Sequence, residues 1–278
     1  MKEMFDKLSA DCSKIITKRY STSFSLGIMF LNKKIRGPIY AIYGFVRLAD
    51  EIVDSFHDYD KEYLLKKFRS DCLEAIDHGI SLNPVLNSFQ HVVNEYAIDM
   101  ELIELFLHSM KMDLVDTTYT KEKFEEYILG SAQVVGLMCL RVFTNGDTNE
   151  YDRLKHSAMK LGSAFQKINF LRDVRADYQT LSRNYFPNLD LSNFSNAEKK
   201  MIEQDIEQDF NDALLGIREL PGHARSGVYL AYIYYRELFN KIKRTTADQV
   251  MSKRIRISNG HKFGLMCDSL IRYKINAI

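Results

Sequence analysis

The chain has 278 residues, of which 46% are hydrophobic, and it carries 38 basic against 37 acidic side chains. This near-neutral balance gives no support for a nucleic-acid-binding protein or for a polybasic membrane anchor. Its four scattered cysteines lack the C-x-x-C spacing of metal and redox sites, which predicts reduced thiols and a cytoplasmic protein.

Proline and glycine are scarce, with 4 and 13 residues, and most segments repeat apolar residues at the 3.6-residue period of a helix. The sequence therefore predicts an all-α protein. No linker or solenoid-type repeat divides it, which predicts one domain over residues 1–278. The charged start is unlike a signal peptide, and the longest apolar run, Val134 to Leu140, is far shorter than the roughly 20 residues of a membrane span. We expect a soluble protein, at most peripheral to a membrane.

The first predicted helix, residues 4–20, ends at a hydroxyl-rich break from Tyr20 to Ser25 (YSTSFS). One interpretation of the break is a capping turn, because hydroxyl side chains accept hydrogen bonds from the first backbone N–H groups of a helix. The other is a hydroxyl cluster that binds a phosphate. The residue types favour neither interpretation.

A second predicted helix opens at Gly37-Pro38, because proline is tolerated in a first turn. Beside its apolar stripe it carries a polar line, spaced by four, three and four residues: Tyr43, Arg47, Asp50 and Asp54. At about 100° per residue these side chains share one face. A charged line is usually a solvated face, but an arginine, a tyrosine and two aspartates in register are more typical of a metal–diphosphate site.

Three ordinary amphipathic helices are predicted as container walls, at residues 61–79, 83–96 and 99–117. The next helix, Lys121 to Phe143, is apolar on nearly all sides, which predicts a central position. Its interior glycines, Gly130 and Gly136, cost stability unless another group approaches closely. That group is either a neighbouring helix or an apolar ligand in a tunnel, and the sequence leaves both open.

The longest predicted helix runs from about Glu150 to Leu181 and carries a second polar line, spaced by three, four and four residues: Gln166, Asn169, Asp173 and Asp177. This line lies about a quarter-turn from the buried stripe of the helix, where a site can be half enclosed. Gly162 falls on the line and is expected to leave room there. The segment Arg183 to Pro187 (RNYFP) is expected to turn an arginine and a phenol back towards it.

Further helices are predicted at residues 196–219, at residues 223–244 and beyond the basic stretch 254–256. The acidic run from Glu203 to Asp209 is expected to be a solvated face. The tyrosines from Tyr229 to Tyr235 are expected to lie mostly in the core.

Two helices that each offer two carboxylates one turn apart can hold divalent cations between them. Mg²⁺ prefers oxygen ligands and is typically shared between carboxylates and substrate phosphates. Arg47 and Arg172 suit the remaining phosphate oxygens, which guanidinium groups bind bidentately. Ionisation of a diphosphate leaves an allylic carbocation, which requires the dry, aromatic-lined pocket that helices 121–143 and 223–244 are expected to provide.

The motifs RLADEIVD (47–54) and QKINFLRDVRAD (166–177) closely resemble those of the squalene/phytoene synthase family. The SFS cluster before the first motif and RNYFP after the second strengthen the resemblance, which spans essentially the whole chain. It implies an all-α, single-domain class I isoprenoid synthase bundle around a central cavity. It also implies head-to-head coupling of two identical allylic diphosphates through a cyclopropylcarbinyl diphosphate, with Mg²⁺ as the cofactor and Mn²⁺ as a substitute.

The resemblance also implies the roles of individual residues. The implied metal ligands are Asp50, Asp54, Asn169, Asp173 and Asp177. The implied substrate-binding residues are Ser21, Ser23, Phe24, Tyr43, Arg47, Gln166, Arg172, Tyr235 and Arg254. The implied catalytic residues are Asp50, Asp54, Asp173, Asp177, Arg47 and Tyr185.

Two departures from the family pattern concern the position of the second substrate. The family often has Val-Ala-Gly in the central helix where this chain has Ser131-Ala132-Gln133, which is expected to put a polar amide near the tunnel. The basic run that usually follows the Arg254 region is diluted here to SNGH at residues 258–261.

Reductive members of the family use NADPH and commonly carry a C-terminal membrane anchor. This chain shows neither a dinucleotide fingerprint nor an anchor before Ile278, so no NADPH is expected. The overall sequence is most similar to bacterial family members that join two C20 diphosphates in carotenoid biosynthesis. The alternative is a member that joins two C15 diphosphates. The expected partners are prenyl diphosphates, without nucleic acid or an obligate protein, and an apolar product suggests peripheral contact with the inner membrane face.

Two other classes of protein fit the sequence less well. A four-helix di-iron carboxylate protein requires Glu-x-x-His on two helices, and none of the seven histidines has a glutamate three residues earlier. A non-catalytic family member that acts as a scaffold predicts eroded aspartates, whereas all four are present here with both arginines.

Overall fold

The computed structural model describes residues 1–115, 118–180, 184–187, 189 and 191–274, and the side chains of all of these except 175–180, 192, 259 and 270–274. Within these residues the regular secondary structure is helical, and the one β-type pairing is an isolated bridge between Thr118 and Asn184. The all-α prediction is therefore confirmed.

The described part of the chain contains thirteen α-helices, a π turn and a 3-10 turn. The α-helices are α1 (Lys2–Tyr20), α2 (Thr22–Met29), α3 (Lys33–Ser55), α4 (Lys61–His78), α5 (Pro84–Tyr96), α6 (Met100–Val115), α7 (Lys121–Ile128), α8 (Val134–Phe143), α9 (Thr148–Thr180), α10 (Asn196–Glu219), α11 (Gly222–Lys243), α12 (Ala247–Ser252) and α13 (Asn259–Lys274). The π turn, Leu129–Gln133, joins α7 to α8, and the 3-10 turn is Leu191–Asn193.

Two of the helix starts that differ from the predictions, those of α3 and α12, are explained by side-chain caps. Helix α3 begins at Lys33, ahead of the predicted start at Gly37-Pro38, because the Asn32 side chain accepts a hydrogen bond from the Lys34 backbone N–H at 3.0 Å. Pro38 consequently lies inside the helix. Helix α12 was not predicted, although Thr246 and Gln249 form a capping box at its start.

Buried apolar side chains from most of the helices form one core, in which α3 is central. The ring of Phe45 in α3 stacks on Phe89 of α5 at 3.9 Å between centroids and lies 5.4 Å from the ring of Phe106 in α6. Aromatic rings bury large apolar areas, so this cluster fixes α3 against both neighbours. The opposite face of α3 remains available for the polar line.

The continuous segment from Lys121 to Phe143 lies at the centre of the bundle, as predicted. Among the described helices it is the one that is long and apolar enough to cross a membrane, but 56% of its most apolar stretch is buried inside the protein. Close packing accounts for its glycines, since a Cβ at Gly130 would lie 2.5 Å from the Leu105 carbonyl oxygen and one at Gly136 would lie 2.8 Å from that of Ala158. Helix packing therefore explains both glycines, but Gly136 also borders the interior cavity, so the ligand interpretation stays open at that position.

The acidic run of α10 is not the solvated face that was predicted. Asp209 is fully buried, and its carboxylate accepts hydrogen bonds from three side chains of α9: Lys160 at 2.9 Å, Ser163 at 2.6 Å and Lys167 at 2.6 Å. Burial alone would raise the pKa of Asp209, but the two lysine ammonium groups and the serine hydroxyl outweigh it and lower that pKa. This Asp209 cluster anchors α9 on α10 from a face about a third of a turn away from the polar line.

Candidate active site

A cavity of about 980 Å³ lies between α2, α3 and the helices from α6 to α11. Its size is at the upper end of the roughly 300–1,000 Å³ found for small-molecule sites. Every site residue implied by the resemblance whose side chain is described lies on its wall. These residues are Ser21, Ser23, Phe24, Tyr43, Arg47, Asp50, Asp54, Gln166, Asn169, Arg172, Asp173, Tyr185, Tyr235 and Arg254. The side chain of Asp177 lies outside the described residues.

One side of the cavity, which we call the α3 wall, consists of Arg47, Asp50 and Asp54 of α3 with Asp113 of α6. Arg47 forms ion pairs with Asp50 and with the neighbouring Glu51. Burial, and then the charge of Asp54, raise the pKa of Asp50 to about 7 although Arg47 opposes the rise. The wall therefore carries more carboxylates than its single arginine can neutralise.

The opposite side, which we call the α9 wall, consists of Gln166, Asn169, Arg172 and Asp173 of α9 with Arg254 from the segment after α12. The Asp173 carboxylate is paired twice, with Arg172 Nη2 at 2.5 Å and with Arg254 Nε at 2.7 Å. Unlike Asp50, this aspartate is held between two guanidinium groups. The two polar lines thus face one cavity with different charge balances.

Aromatic rings close the space between the two walls on one side. Phe165 of α9 stacks on Tyr235 of α11 at 3.9 Å, and Phe24 of α2 lies within 6.1 Å of Phe165, Tyr235 and Tyr43. The Tyr235 hydroxyl donates to Asn169 Oδ1 at 3.3 Å, which ties this aromatic cluster to the α9 wall. The faces of such rings attract cations, so the cluster is suited to a positively charged intermediate.

The hydroxyl-rich segment serves as a cap and also borders the cavity. The Ser21 hydroxyl accepts a hydrogen bond from the Phe24 backbone N–H at 3.1 Å and so caps α2. It also hydrogen-bonds Tyr43, although burial dominates and raises the pKa of that phenol to about 12. The capping interpretation is confirmed, and Ser21, Thr22 and Ser23 also line the cavity, so the phosphate-binding interpretation stays open.

Asp113 also lines the cavity, although the sequence pattern predicts α6 only as a container wall. Its buried carboxylate accepts hydrogen bonds from the hydroxyls of Tyr127 at 2.6 Å and Tyr185 at 3.0 Å, and more weakly from Tyr119 at 3.4 Å. Burial, and then the Asp113 charge, raise the pKa of Tyr127 well above its ordinary value. The signal was an aspartate on the buried stripe of α6, three residues after Met110.

Two expectations about the lining of the cavity need correction. Ser131, rather than Gln133, brings the polar group to the cavity, and its hydroxyl is buried without a hydrogen-bond partner among the described residues. Gly162 does not leave free space, because a Cβ there would lie 2.5 Å from the Ala132 carbonyl oxygen. The backbone of the π turn fills that position.

A divalent cation fits the donors of the α3 wall. Asp50 and Asp54 offer carboxylate oxygens, and burial, followed by the charge of Asp54, raises the pKa of Asp50; a cation between them would favour both charged forms. In the described residues no group of three or more His, Cys, Asp or Glu side chains is close enough to hold a metal ion alone. An ion here would need ligands from both walls, from water or from a substrate phosphate, as Mg²⁺ typically has.

Comparisons with known proteins agree with this geometry. The model of the squalene/phytoene synthase family matches residues 17–261. The 15-cis-phytoene synthase of Synechococcus elongatus is 27% identical over 92% of this chain and 91% of its own length. The 4,4'-diapophytoene synthase of Staphylococcus haemolyticus is 28% identical over 70% of this chain and 67% of its own.

Solved structures show the same fold. A dehydrosqualene synthase crystallised in complex with a ligand superimposes with a TM-score of 0.83 at 22% identity, covering 97% of this chain and 98% of that one. The shared fold is the isoprenoid synthase helical bundle. With the family model matching most of its length, the chain belongs to the squalene/phytoene synthase family and is a prenyltransferase of that type.

Proposed function

We propose that this protein is a phytoene synthase of carotenoid biosynthesis. It condenses two geranylgeranyl diphosphates head to head, through prephytoene diphosphate, and releases diphosphate. The observation that carries the proposal is the large cavity with two polar walls and a deep part lined by aliphatic and aromatic side chains. Relatives named phytoene synthase over almost the whole chain support the C20 substrate.

The alternative is condensation of two farnesyl diphosphates, as in a dehydrosqualene or squalene synthase. The relative named 4,4'-diapophytoene synthase and the similar fold of a dehydrosqualene synthase keep this alternative open. A non-catalytic scaffold is the remote third possibility, and the complete set of described wall residues argues against it.

Mg²⁺ is the proposed cofactor, with Mn²⁺ as a substitute and without NADPH. Asp50 and Asp54 would hold it from the α3 wall, and Asn169, Asp173 and Asp177 from α9. When bound, such ions act as Lewis acids that stabilise the departing diphosphate.

The arginines are the proposed diphosphate ligands. Arg47 Nε is buried without a hydrogen-bond partner among the described residues, and the Tyr20 ring lies 4.3 Å from its guanidinium carbon. This N–H is therefore available to a phosphate oxygen in the cavity. Arg172 and Arg254 would transfer hydrogen bonds from Asp173 to the diphosphate, which at the same time frees the carboxylate.

The apolar part of the cavity would exclude water from the carbocation. Its depth is lined by aliphatic side chains: Val135, Leu154, Leu161, Ile217 and Leu220. Asp113 holds the Tyr127 and Tyr185 hydroxyls at fixed positions beside this space, so those phenols are oriented before substrate arrives. Desolvation and fixed dipoles favour reaction of the cation with the second prenyl chain over capture by water.

Product analysis tests the proposal. Purified protein with Mg²⁺ is offered geranylgeranyl or farnesyl diphosphate separately, without NADPH, and hydrocarbons are extracted. A C40 product from the C20 substrate, abolished by EDTA, is the expected result. A C30 product from the C15 substrate alone would establish the alternative, and no hydrocarbon from either would favour the scaffold.

A further inference from the structure

Helix α1 carries its side chains in an unusual arrangement, with small hydroxyls inside and apolar groups outside. Ser9, Ser13 and Thr17 are 0% exposed, against α3 and α5. On the outer surface Met4 is 74% exposed, Leu8 55% and Ile15 55%. We call Met4, Leu8 and Ile15 the apolar stripe. An exposed apolar surface on an otherwise well-packed helix is typical of an interaction site.

The helix is firmly docked, so the stripe is a permanent surface. A Cβ at Gly44 of α3 would lie 2.9 Å from Ser13 Oγ, which shows how closely the two backbones approach. The Asn87 side chain of α5 donates to Asp6 Oδ1 at 3.0 Å and to Ser9 Oγ at 3.1 Å. Small inward side chains thus permit tight packing and leave the large apolar ones to face outwards.

Basic residues border the stripe on one side. At about 100° per residue, the apolar stripe occupies an arc of about 40°, and Lys7, Lys14 and Lys18 occupy a second arc of about 40°, centred roughly 80° away. We call these three residues the lysine line. Asp11 lies between the two arcs, but the helix as a whole has five basic against three acidic residues, and Asp6 is paired with Lys2 at 2.9 Å. The outer surface of α1 is therefore apolar and, on balance, cationic.

We propose that α1 docks this protein on an anionic lipid bilayer, with the apolar stripe in the interface and the lysine line on the headgroups. An amphipathic helix with lysines beside an apolar face binds membrane surfaces in this way. A second copy of the chain fits less well, because it would bring one lysine line towards another. Charge complementarity therefore favours the bilayer.

The position of α1 provides a functional reason for docking on a bilayer, namely release of an apolar product. This argument rests on the proposed function. Tyr20, the last residue of α1, lines the cavity, and Ser21 continues that lining into α2. At about 100° per residue Tyr20 lies about 140° around the helix from the centre of the apolar stripe, so a bilayer on the stripe covers the outer side of α1 and the cavity lies behind the helix. Docking through α1 would therefore hold the cavity one helix away from the lipid in which an apolar C40 or C30 product dissolves.

The absence of tryptophan from the sequence makes the test direct. A Leu8→Trp variant carries the only indole, and Leu215→Trp, at a position 58% exposed on α10, is the matched control. With phosphatidylglycerol vesicles we expect a blue shift and quenching by brominated lipid for Leu8→Trp but not for Leu215→Trp. Equal responses of both variants, or none from either, would overturn the proposal.

Co-flotation with vesicles supplies a second, label-free test. Leu8→Asp/Ile15→Asp and Lys7→Glu/Lys14→Glu should each lower the vesicle-bound fraction about tenfold, while Met201→Asp/Leu215→Asp should not. Binding should be weaker to phosphatidylcholine and at high salt. Circular dichroism verifies that each variant is folded. If light scattering without lipid shows a dimer that Leu8→Asp/Ile15→Asp converts to a monomer, the stripe is an interface between copies and the proposal is wrong.

The readouts separate this inference from the proposed function. Turnover of detergent-dispersed substrate should be the same in all these variants and the parent. Flotation without hydrocarbon formation would refute the function and leave the docking intact, and the opposite result would refute the docking alone.

Discussion

The α3 wall and the α9 wall each derive from a polar line with two aspartates one helical turn apart, but the two walls differ in charge balance. On the α3 wall, Arg47 alone opposes several carboxylates, and the pKa of Asp50 rises to about 7. On the α9 wall, Asp173 is neutralised by two arginines. The comparison teaches that a pair of spaced carboxylates predicts a cation site only together with its neighbours. Under the proposed function, the α3 wall would accept a cation directly, whereas Asp173 on the α9 wall would first have to exchange its arginine partners.

The largest expected effect follows from removing a charge of the α3 wall. Asp50→Asn should lower hydrocarbon formation by about 10³-fold or more, because a cation-stabilised diphosphate loses its carboxylate ligand. Steady-state turnover with saturating Mg²⁺ measures this. Asp58→Asn, in the exposed loop after α3, is the control and should be unchanged. Activity within tenfold of the parent would contradict the metal assignment of this wall.

The α9 wall should depend on its anchor behind the cavity. Asp209→Asn leaves Lys160 without its carboxylate and leaves Lys167 with only the more exposed Asp205, so we expect the free energy of unfolding to fall by about 3 kcal/mol. Denaturant unfolding measures the change. Asp212→Asn, one turn further along α10, removes a carboxylate that accepts from Gln208 in an exposed contact, and should cost far less. Equal losses in the two variants would mean that the cluster contributes no special stability.

If Arg254 moves from Asp173 to the substrate diphosphate, its removal should weaken the binding of prenyl diphosphate and strengthen the binding of a metal ion. Arg254→Ala should raise the KM for prenyl diphosphate about tenfold, because a charge-assisted phosphate contact is worth roughly 1.5–3 kcal/mol. It should also strengthen Mn²⁺ binding without diphosphate, because Asp173 loses a competing cation. Titration calorimetry and kinetics give the two values. Lys253→Ala is the control, and weaker Mn²⁺ binding in Arg254→Ala would refute the exchange.

The smallest effect is a pH dependence of stability. A pKa of about 7 for Asp50 in the folded chain, against about 3.9 in an unfolded one, means that the folded state binds the proton more tightly. This carboxyl therefore makes the protein less stable as pH rises from about 4 to 7. Asp50→Asn should raise the melting temperature at pH 8 but not at pH 4. Mg²⁺ should reduce the difference in melting temperature between the variant and the parent at pH 8. If Asp50→Asn changes the melting temperature by the same amount at pH 8 and at pH 4, the Asp50 charge does not account for the change in stability.

Local spacing in the sequence predicted much of the fold and of the site. The spacings on α3 and α9 placed the described members of both polar lines on one cavity, because residues three and four apart share a helix face. The pairing of Arg254 with Asp173 joins positions 81 residues apart, and the burial of Asp209 depends on how α10 packs against α9. Such contacts follow from helix register and packing, which no local pattern contains.

Asp113 was partly predictable, because its position follows from local spacing but its partners depend on tertiary packing. Its place on an apolar stripe was visible in the sequence, but its phenol partners come from three other segments of the chain. The start of α3 is similar, because the Asn32 cap is a local signal that the proline at position 38 obscured. Proline disfavours a helix interior, but the Asn32 cap and the tertiary packing of α3 outweigh that preference.

The π turn between α7 and α8 makes the cavity lining depend on chain length as well as on side chains. Tyr127 and Gly136 both line the cavity, yet nine residues of regular α-helix would place them about 180° apart. The extra residue of a π turn reduces this angle to about 80°. Deleting one residue from Leu129–Gln133 would therefore convert the π turn to regular α-helix and keep Tyr127 and Gly136 on the same side. Deleting one residue from the regular helix on either side would instead rotate the rest of the segment by about 100° and exchange the small groups at the cavity for their neighbours. The π turn is thus the place in this segment where the chain tolerates a change of length without reshaping the cavity.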